Sequence, residues 1–595
     1  MDLQRTLLWV VFCLSLAMLW DRWQIAHGHN PTFLPSQVAQ GPAGAANAGR
    51  PAAPGAPASA PGAAAGTAPG NALPPTTATE APRISEKVTV ETDVLKLDFD
   101  AQGAVLWRAE LTQQRGPTPW KQMGLAGIVY SLLYPNSHPQ AQQTIVLFDR
   151  SATRNYVARS GLLGAKDLPD HNMTFELLPG PRALEAGSEE LRVRFVAQSG
   201  GLELRKTYVL HRGRYDIGVE HEIRNIGTGE ISPTLYLEIA RDGDTKGADD
   251  SSFYSTYTGP AYYTPGDHFQ KVSFEDIHKA VAEAQHNPPA LQLPATGKVI
   301  EPSTDGWIAM LQHYFVAAWV PPAGAPRQFY TRQVDEKDYS VGATLALGAI
   351  GPGVSVKRDA VLYAGPQDQH TLEGIATGLD RVVDYGRLEP ICKPLFWLLG
   401  WLYRAVANWG WAIVLLTILI KVTFYPLAAA GFRSMARMKE VAPQLQRLKE
   451  QYGEDKQRLQ QAMMELYRKE KINPVGGCLP MLVQIPVFIA LYWVLLGSVE
   501  LRNAPWIFWI HDLATPDPWF VLPALMMATS WIQYKLNPTP PDPVQAKMMA
   551  VMPFVFGVMF FFFPSGLVLY YVLNNMLSIA QQWRINKVIG APKKA

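Results

Sequence analysis

A lysine, Lys421, interrupts an apolar run that extends from Trp411 to Pro426. An ammonium at the centre of a bilayer costs about 2.5–3.5 kcal/mol on insertion scales. None of the other long apolar runs holds an Asp or Glu to pair with it. Two readings are open for such a cation. It can snorkel to the nearby water surface, since Pro426 is only five residues on. It can instead sit in a polar cavity that ends inside the bilayer and attract an anionic guest there. Thr417 lies one turn earlier on the same helix face. Polar side chains interrupt the other apolar runs too: Gln484 beside Pro486, Ser530 and Gln533, and Tyr570, Tyr571, Asn574, Asn575 and Ser578. They favour the cavity.

The elements that must position these residues are apolar runs at about 409–427, 479–497, 518–536, 548–563 and 566–583. A further run from Leu7 to Trp20 reads as an uncleaved signal anchor, because no small-x-small cleavage pattern follows it. The expected total is six spans. Between the first two of the five, residues 428–474 carry ten Lys/Arg against six acids, which places them in the cytoplasm. The connection 498–517 carries only Arg502 as a base and fits the outside, and the tail beyond Trp583, with Arg584, Lys587, Lys593 and Lys594, fits the inside. Every segment alternates consistently on this scheme, with both termini cytoplasmic. Met548 to Phe563 is only sixteen residues, about 24 Å of helix against a hydrocarbon core of ~30 Å. Such a span implies a locally thinned bilayer or tucked helix ends.

The chain has 595 residues and a net charge of +2, so bulk charge gives no reason to expect a polyanion partner. Its polar and apolar parts are separate. Residues 1–27 form the anchor, and 28–82 are an Ala/Gly/Pro-rich tether that cannot bury a core. Residues 83–380 show period-two patterning: Leu95, Leu97 and Phe99; Leu191, Val193 and Phe195; Leu202 and Leu204; Ile217, Val219 and Ile223, with Gly turns between. That pattern predicts an antiparallel β-sandwich. It holds no Cys and no metal-spaced His cluster. Its aromatics Phe253, Tyr254, Tyr257, Tyr262 and Tyr263 read as packing or as the lining of a sugar or peptide cleft. Residues 381–408 mix aromatics with charge and read as an amphipathic helix on the outer membrane surface. The membrane core follows at 409–585, and 586–595 form a basic cytoplasmic tail.

Within 428–474 a helical hairpin is expected. Met435, Met438, Ala442, Leu445 and Leu448 step by three or four, and Leu459, Met463 and Leu466 continue the stripe on a second arm. Gly453 ends the first arm, Asp455 can cap the second, and Pro443 is expected to kink the first. The methionines Met435, Met438, Met463 and Met464 read either as filling between the arms or as an adaptable surface for apolar client segments.

Several stretches closely resemble the YidC-type membrane protein insertases, a family that extends to the Oxa and Alb proteins of organelles. They are Gly431-Phe-Arg-Ser-Met-Ala-Arg-Met438, Asn473-Pro-Val-Gly-Gly-Cys-Leu-Pro480, Gly497-Ser-Val-Glu-Leu-Arg502 and Phe563-Pro-Ser-Gly-Leu-Val-Leu-Tyr-Tyr571. The stretches from Gly306 to Pro321 and Tyr363-Ala-Gly-Pro366 look like the Gram-negative branch. The resemblance implies a multi-domain inner-membrane protein: a periplasmic antiparallel β-super-sandwich and an α-helical five-helix transmembrane core. It implies a hydrophilic groove open to cytoplasm and lipid but closed to the periplasm. A basic residue there draws in the client's polar tail. Lys421 stands at that position, where many relatives carry Arg; it keeps the charge and loses the planar fork. Thr417 and Tyr571 match groove or client-contact positions, and Phe562 matches a position near the client path.

The expectation is therefore a non-enzymatic insertase and chaperone, with Lys421, Thr417, Tyr571, Phe562, Gln484 and Asn574 around the groove. The methionines of the hairpin meet the client first. No nucleotide-binding loop is present, and no cofactor or metal is expected. Expected partners are nascent integral membrane proteins, a Sec-type translocon, the lipid bilayer, and the ribosome and signal recognition pathway through the basic hairpin and tail, with no specific nucleic acid. A transporter or channel would need paired intramembrane acids or repeated halves. A mutarotase-like sugar enzyme would need an acid–base constellation in the sandwich. Neither is legible.

Overall fold

The structure, a computed structural model, describes Pro74 and residues 86–116, 124–133, 144–151, 154–245, 256–286, 296–452, 455–470, 479–537 and 543–589. The anchor, all of the tether except Pro74, and the last residues of the basic tail lie outside the described residues.

The period-two segments form two stacked antiparallel sheets. Among the described residues one has ten strands and the other nine. Strands Glu190–Ser199, Leu202–His211 and Asp216–Asn225 pair in sequence order, with Val193 opposite Tyr208 and Val219 opposite the same Tyr208. Gly200 and Gly201 make the first turn at φ +58° and +78°, where a side chain would be strained. Their inward residues Leu191, Val193, Phe195, Leu204, Ile217, Val219 and Ile223 join Leu97, Phe99, Leu237 and Val341 in one core between the sheets. Of the aromatics suspected of lining a cleft, Tyr262 lies in that core and Tyr263 stacks on Trp307 at 6.0 Å. Tyr257 donates to the main-chain oxygens of Pro260 and Val272. Phe253 and Tyr254 lie outside the described residues.

The outer face of the nine-stranded sheet is covered as well. Strand Trp307–Gln312 is buried on both faces; Ile308 and Met310 point into the sandwich, and Trp307, Ala309 and Leu311 point away from it. The second set packs with helical residues. Two helices, α1 (Gly124–Leu133) and α2 (Phe274–His286), belong to the sandwich; α3 (Gln369–Ile375) and α4 (Glu389–Val406) follow its last strand. Cys392, Phe396, Leu399 and Leu402 bury one stripe of α4, and Trp397 and Trp401 stand exposed on the other side. This is the amphipathic helix expected from 381–408, shortened at its start by two 3-10 turns.

The remaining helices are α5 (Trp409–Thr423), α6 (Tyr425–Tyr452), α7 (Lys456–Lys469), α8 (Leu479–Gly497), α9 (Val521–Leu536), α10 (Pro543–Phe560) and α11 (Ser565–Ile589). The run expected at 409–427 breaks at Phe424, because Pro426 has no N–H to continue the ladder. The chain bends there by 62°. Among the described residues no single helix is long and apolar enough to cross a membrane; Trp409–Thr423 and Tyr425–Ser434 pass that test together as a bent pair. Helix α6 holds Pro443 within its length. Asp455 caps α7 through its side chain, as its position predicted.

A buried lysine in a polar chain between helices

Helix α11 is the hub of the site. Its residues Asn574, Ser578 and Gln582 follow at intervals of four and so share one stripe, facing α5, α8 and the end of α9. Lys421, in the last turn of α5, is buried with 9% of its surface exposed. Its Nζ turns inward and donates to Ser578 Oγ at 2.7 Å. Ser578 Oγ in turn donates to the main-chain oxygen of Asn574 at 2.8 Å. Asn574 Oδ1 accepts from Gln484 Nε2 of α8 at 2.8 Å. One chain of hydrogen bonds thus joins three helices, and Lys421, Gln484 and Asn574 come together in it.

No carboxylate lies within ion-pair distance of Lys421 among the described residues. The contrast with the sandwich is instructive: its buried Arg159 and Arg332 both contact Glu238. A buried cation held only by a hydroxyl has its hydrogen bonding partly met and its charge unmet.

Thr417 is buried on the same face of α5, one turn from Lys421, and its hydroxyl bonds back to Ile413 O at 2.7 Å. Tyr571 is half-buried between Phe488 and Phe560, with ring centroids at 4.4 and 4.6 Å. Phe562 lies apart from this chain. It packs with Phe561 and Val129 against Ala126 and Phe520, where α1 of the sandwich meets the loop before α9. In the hairpin, Met438 and Met463 pack against the small core of Val441, Leu445 and Leu466. Met464 is exposed by 59%, and the side chain of Met435 lies outside the described residues.

Three participants were not assigned from sequence. Ser578, read there as one polar residue among several, is the direct partner of the lysine. Gln582 donates to Asn537 Oδ1 at 3.0 Å and Asn575 donates to Ser530 Oγ at 2.9 Å, tying α11 to α9. The spacing of Asn574, Ser578 and Gln582 was the available signal.

Residues 498–520 pack across one end of these helices. Asp517 is fully buried and accepts from Trp509 Nε1, Trp519 N and Leu522 N at 2.9, 3.0 and 2.7 Å. Ser565 N and Gly566 N, at the start of α11, donate to Thr515 O and Leu513 O. Gly557 of α10 lets Met527 of α9 approach so closely that an added Cβ would fall 1.9 Å from its Cγ.

The chain was compared with known proteins. Residues 401–592 match the family model described as 60Kd inner membrane protein, and residues 131–398 match that of the YidC periplasmic domain. A membrane protein insertase YidC of Ralstonia nicotianae is 48% identical over 595 residues, covering 100% of this chain and 99% of that protein. The chain belongs to the YidC family. Another YidC, from Bordetella petrii, is 50% identical over 604 residues, covering 99% of this chain and 98% of its own length. A solved structure of an active YidC insertase with its first transmembrane domain resolved aligns over 84% of this chain and 92% of its own, with a TM-score of 0.36 and 17% identity. In YidC terms the sandwich is the periplasmic domain and the helical region follows it.

Proposed function

We infer that this chain is a membrane protein insertase of the bacterial inner membrane, and that Lys421 supplies the attraction that starts insertion. The observation that carries this reading is the buried ammonium with a hydroxyl partner and no carboxylate among the described residues. A client's acidic tail entering beside it supplies the missing charge. At 4 Å and an effective dielectric near 20, that attraction is about 4 kcal/mol, enough to offset much of the cost of bringing a short polar tail into the membrane.

The client meets the cytoplasmic hairpin first, with Met464 exposed to it, Met438 and Met463 adapting beneath, and Met435 the fourth methionine of the hairpin. Its tail then enters a hydrated groove lined by Lys421, Thr417, Gln484, Asn574 and Tyr571, with Phe562 toward the outer end. The loop around Asp517 closes that end. The client's own helix then leaves sideways, driven by its apolar transfer into lipid. Six spans, both termini in the cytoplasm, and cooperation with a Sec-type translocon and the ribosome complete the reading. The exposed Trp397 and Trp401 of α4 suit the outer lipid interface. No nucleotide drives the cycle.

The test uses the full chain in vesicles and a single-span client with an acidic tail. Lys421→Ala is expected to lower insertion at least tenfold, and Lys421→Arg to retain it. Unchanged insertion with Lys421→Ala rejects the role of the charge. Photocrosslinkers at positions 417, 421 and 571 are expected to capture a stalled nascent chain.

A further inference from the structure

The outward face of the ten-stranded sheet carries a second buried polar cluster. On strand Asn155–Leu163, Tyr156, Ala158 and Leu162 point into the core, which turns Arg159 outward. The same alternation turns Glu238 outward between Leu237 and Ile239, and turns Arg332 outward on strand Arg327–Gln333, whose Phe329 is in the core. Arg159 Nε lies 2.9 Å from Glu238 Oε2, and Arg332 Nη2 lies 2.9 Å from Glu238 Oε1. All three residues are buried. Burial alone would raise the Glu238 carboxyl, but the two guanidinium groups overcome it and hold the group down at about 2.

Two cations against one carboxylate leave a net positive charge and spare donors. Arg332 Nη1 uses its capacity on the main-chain oxygen of Pro74, 2.5 Å away and 258 positions upstream in the tether. Pro74 is itself buried. Pro75 follows it, which restricts Pro74 to extended conformations. Main-chain carbonyls in such a segment project outward without internal partners. Two more donors in the cluster, Arg159 Nη2 and the Tyr330 hydroxyl, are buried with no partner among the described residues. Tyr330 lies flat over Gly342, where an added Cβ would fall 2.1 Å from its ring.

We propose that this outward face is a docking surface for an extended, proline-containing main chain, and that its resident is the chain's own tether, pinned at Pro74 by Arg332. The Ala/Gly/Pro-rich stretch is then two segments of different character. Only the part upstream of Pro74 sets how far the N-terminal anchor reaches from the sandwich.

The experiment places one extra thiol in the full-length chain in nanodiscs, by Leu73→Cys, Ala72→Cys or Ala60→Cys. Maleimide modification is followed residue by residue by mass spectrometry, so that Cys13, Cys392 and Cys478 are read separately. The thiol at 72 or 73 is expected to react at least ten times more slowly than that at 60. Arg332→Gln, or Arg332→Lys where the first variant loses amide protection in strand Thr234–Asp242, is expected to bring the rates within about twofold. Equal rates at all three positions with Arg332 present overturn the proposal, and so does a slow rate at 72 and 73 that neither Arg332 variant changes.

Discussion

Lys421 and Ser578 lie 157 positions apart, and the ammonium of one donates to the hydroxyl of the other across 2.7 Å. The hydroxyl is itself a donor to Asn574 O, so it accepts the lysine without supplying any charge. Ser578 therefore positions Lys421, and the two functions separate by mutation. Ser578→Ala removes one hydrogen bond to a charged group, worth about 1.5–3 kcal/mol in buried settings and less where water replaces it. Insertion of an acidic-tailed client is expected to stay within about threefold of the parent. The double variant Lys421→Ala/Ser578→Ala is expected to insert no less than Lys421→Ala alone. A vesicle insertion assay on the four proteins reads both outcomes.

Gly557 and Met527 give a packing prediction. A Val at 557 cannot share its space with the Met527 side chain as it stands. Overpacking of this kind typically costs about 1–3 kcal/mol. Gly557→Val is expected to lower the thermal midpoint of the detergent-solubilised chain, and Met527→Ala in the same protein to recover most of the loss. Midpoints of the two single variants and the double variant form the cycle that checks it.

Asp517 holds three N–H donors at once. Asp517→Ala leaves them unmet in a buried place, at about 1–3 kcal/mol for each group that water cannot reach. Asp517→Asn keeps one accepting oxygen and is expected to fall between Ala and the parent. The rank order of thermal inactivation at one heating rate is the measurement.

Glu500 gives the pH dependence. It lies beside a cavity of about 400 Å³ between sandwich and helices, with Gln113, Gln114, Asp368 and Arg502 also in its lining. Burial, aided by Asp368, raises its carboxyl from 4.5 to about 7. A raised acid favours the neutral form in the folded state, so its cost enters as pH climbs through 4.5 and is complete above about 7. Glu500→Gln removes that titration. The variant is expected to melt higher than the parent at pH 8 and to match it at pH 4.5.

The sandwich was legible because half-buried strands alternate: Leu191, Val193 and Phe195 announce both a strand and its inward face. Strand Trp307–Gln312 was less so, since helices cover its outer face and alternation disappears. The amphipathic stripe of α4 and the Asp455 cap were local signals and could be read. The break at Phe424 was not foreseen, because the apolar run reads on from Trp411 to Pro426 and only the missing N–H of Pro426 marks the end of the ladder. The components of the polar chain were visible one by one. Their order was not, because the bond from Lys421 to Ser578 depends on which helices are neighbours. Family likeness points Phe562 to the client path; its contacts with Ala126, Val129, Phe520 and Phe561 form a neighbourhood that no periodicity announces.

The bend at Phe424 has a mechanical meaning. Helix α6, 28 residues long, is an arm of about 42 Å at ~1.5 Å per residue, and its fulcrum lies one turn beyond Lys421. A tilt of about 5° at that fulcrum carries the far tip through roughly 4 Å while the lysine scarcely moves. The bond from Lys421 to Ser578 lies on the short side of that bend, so the charge is held by the bundle and not by the arm.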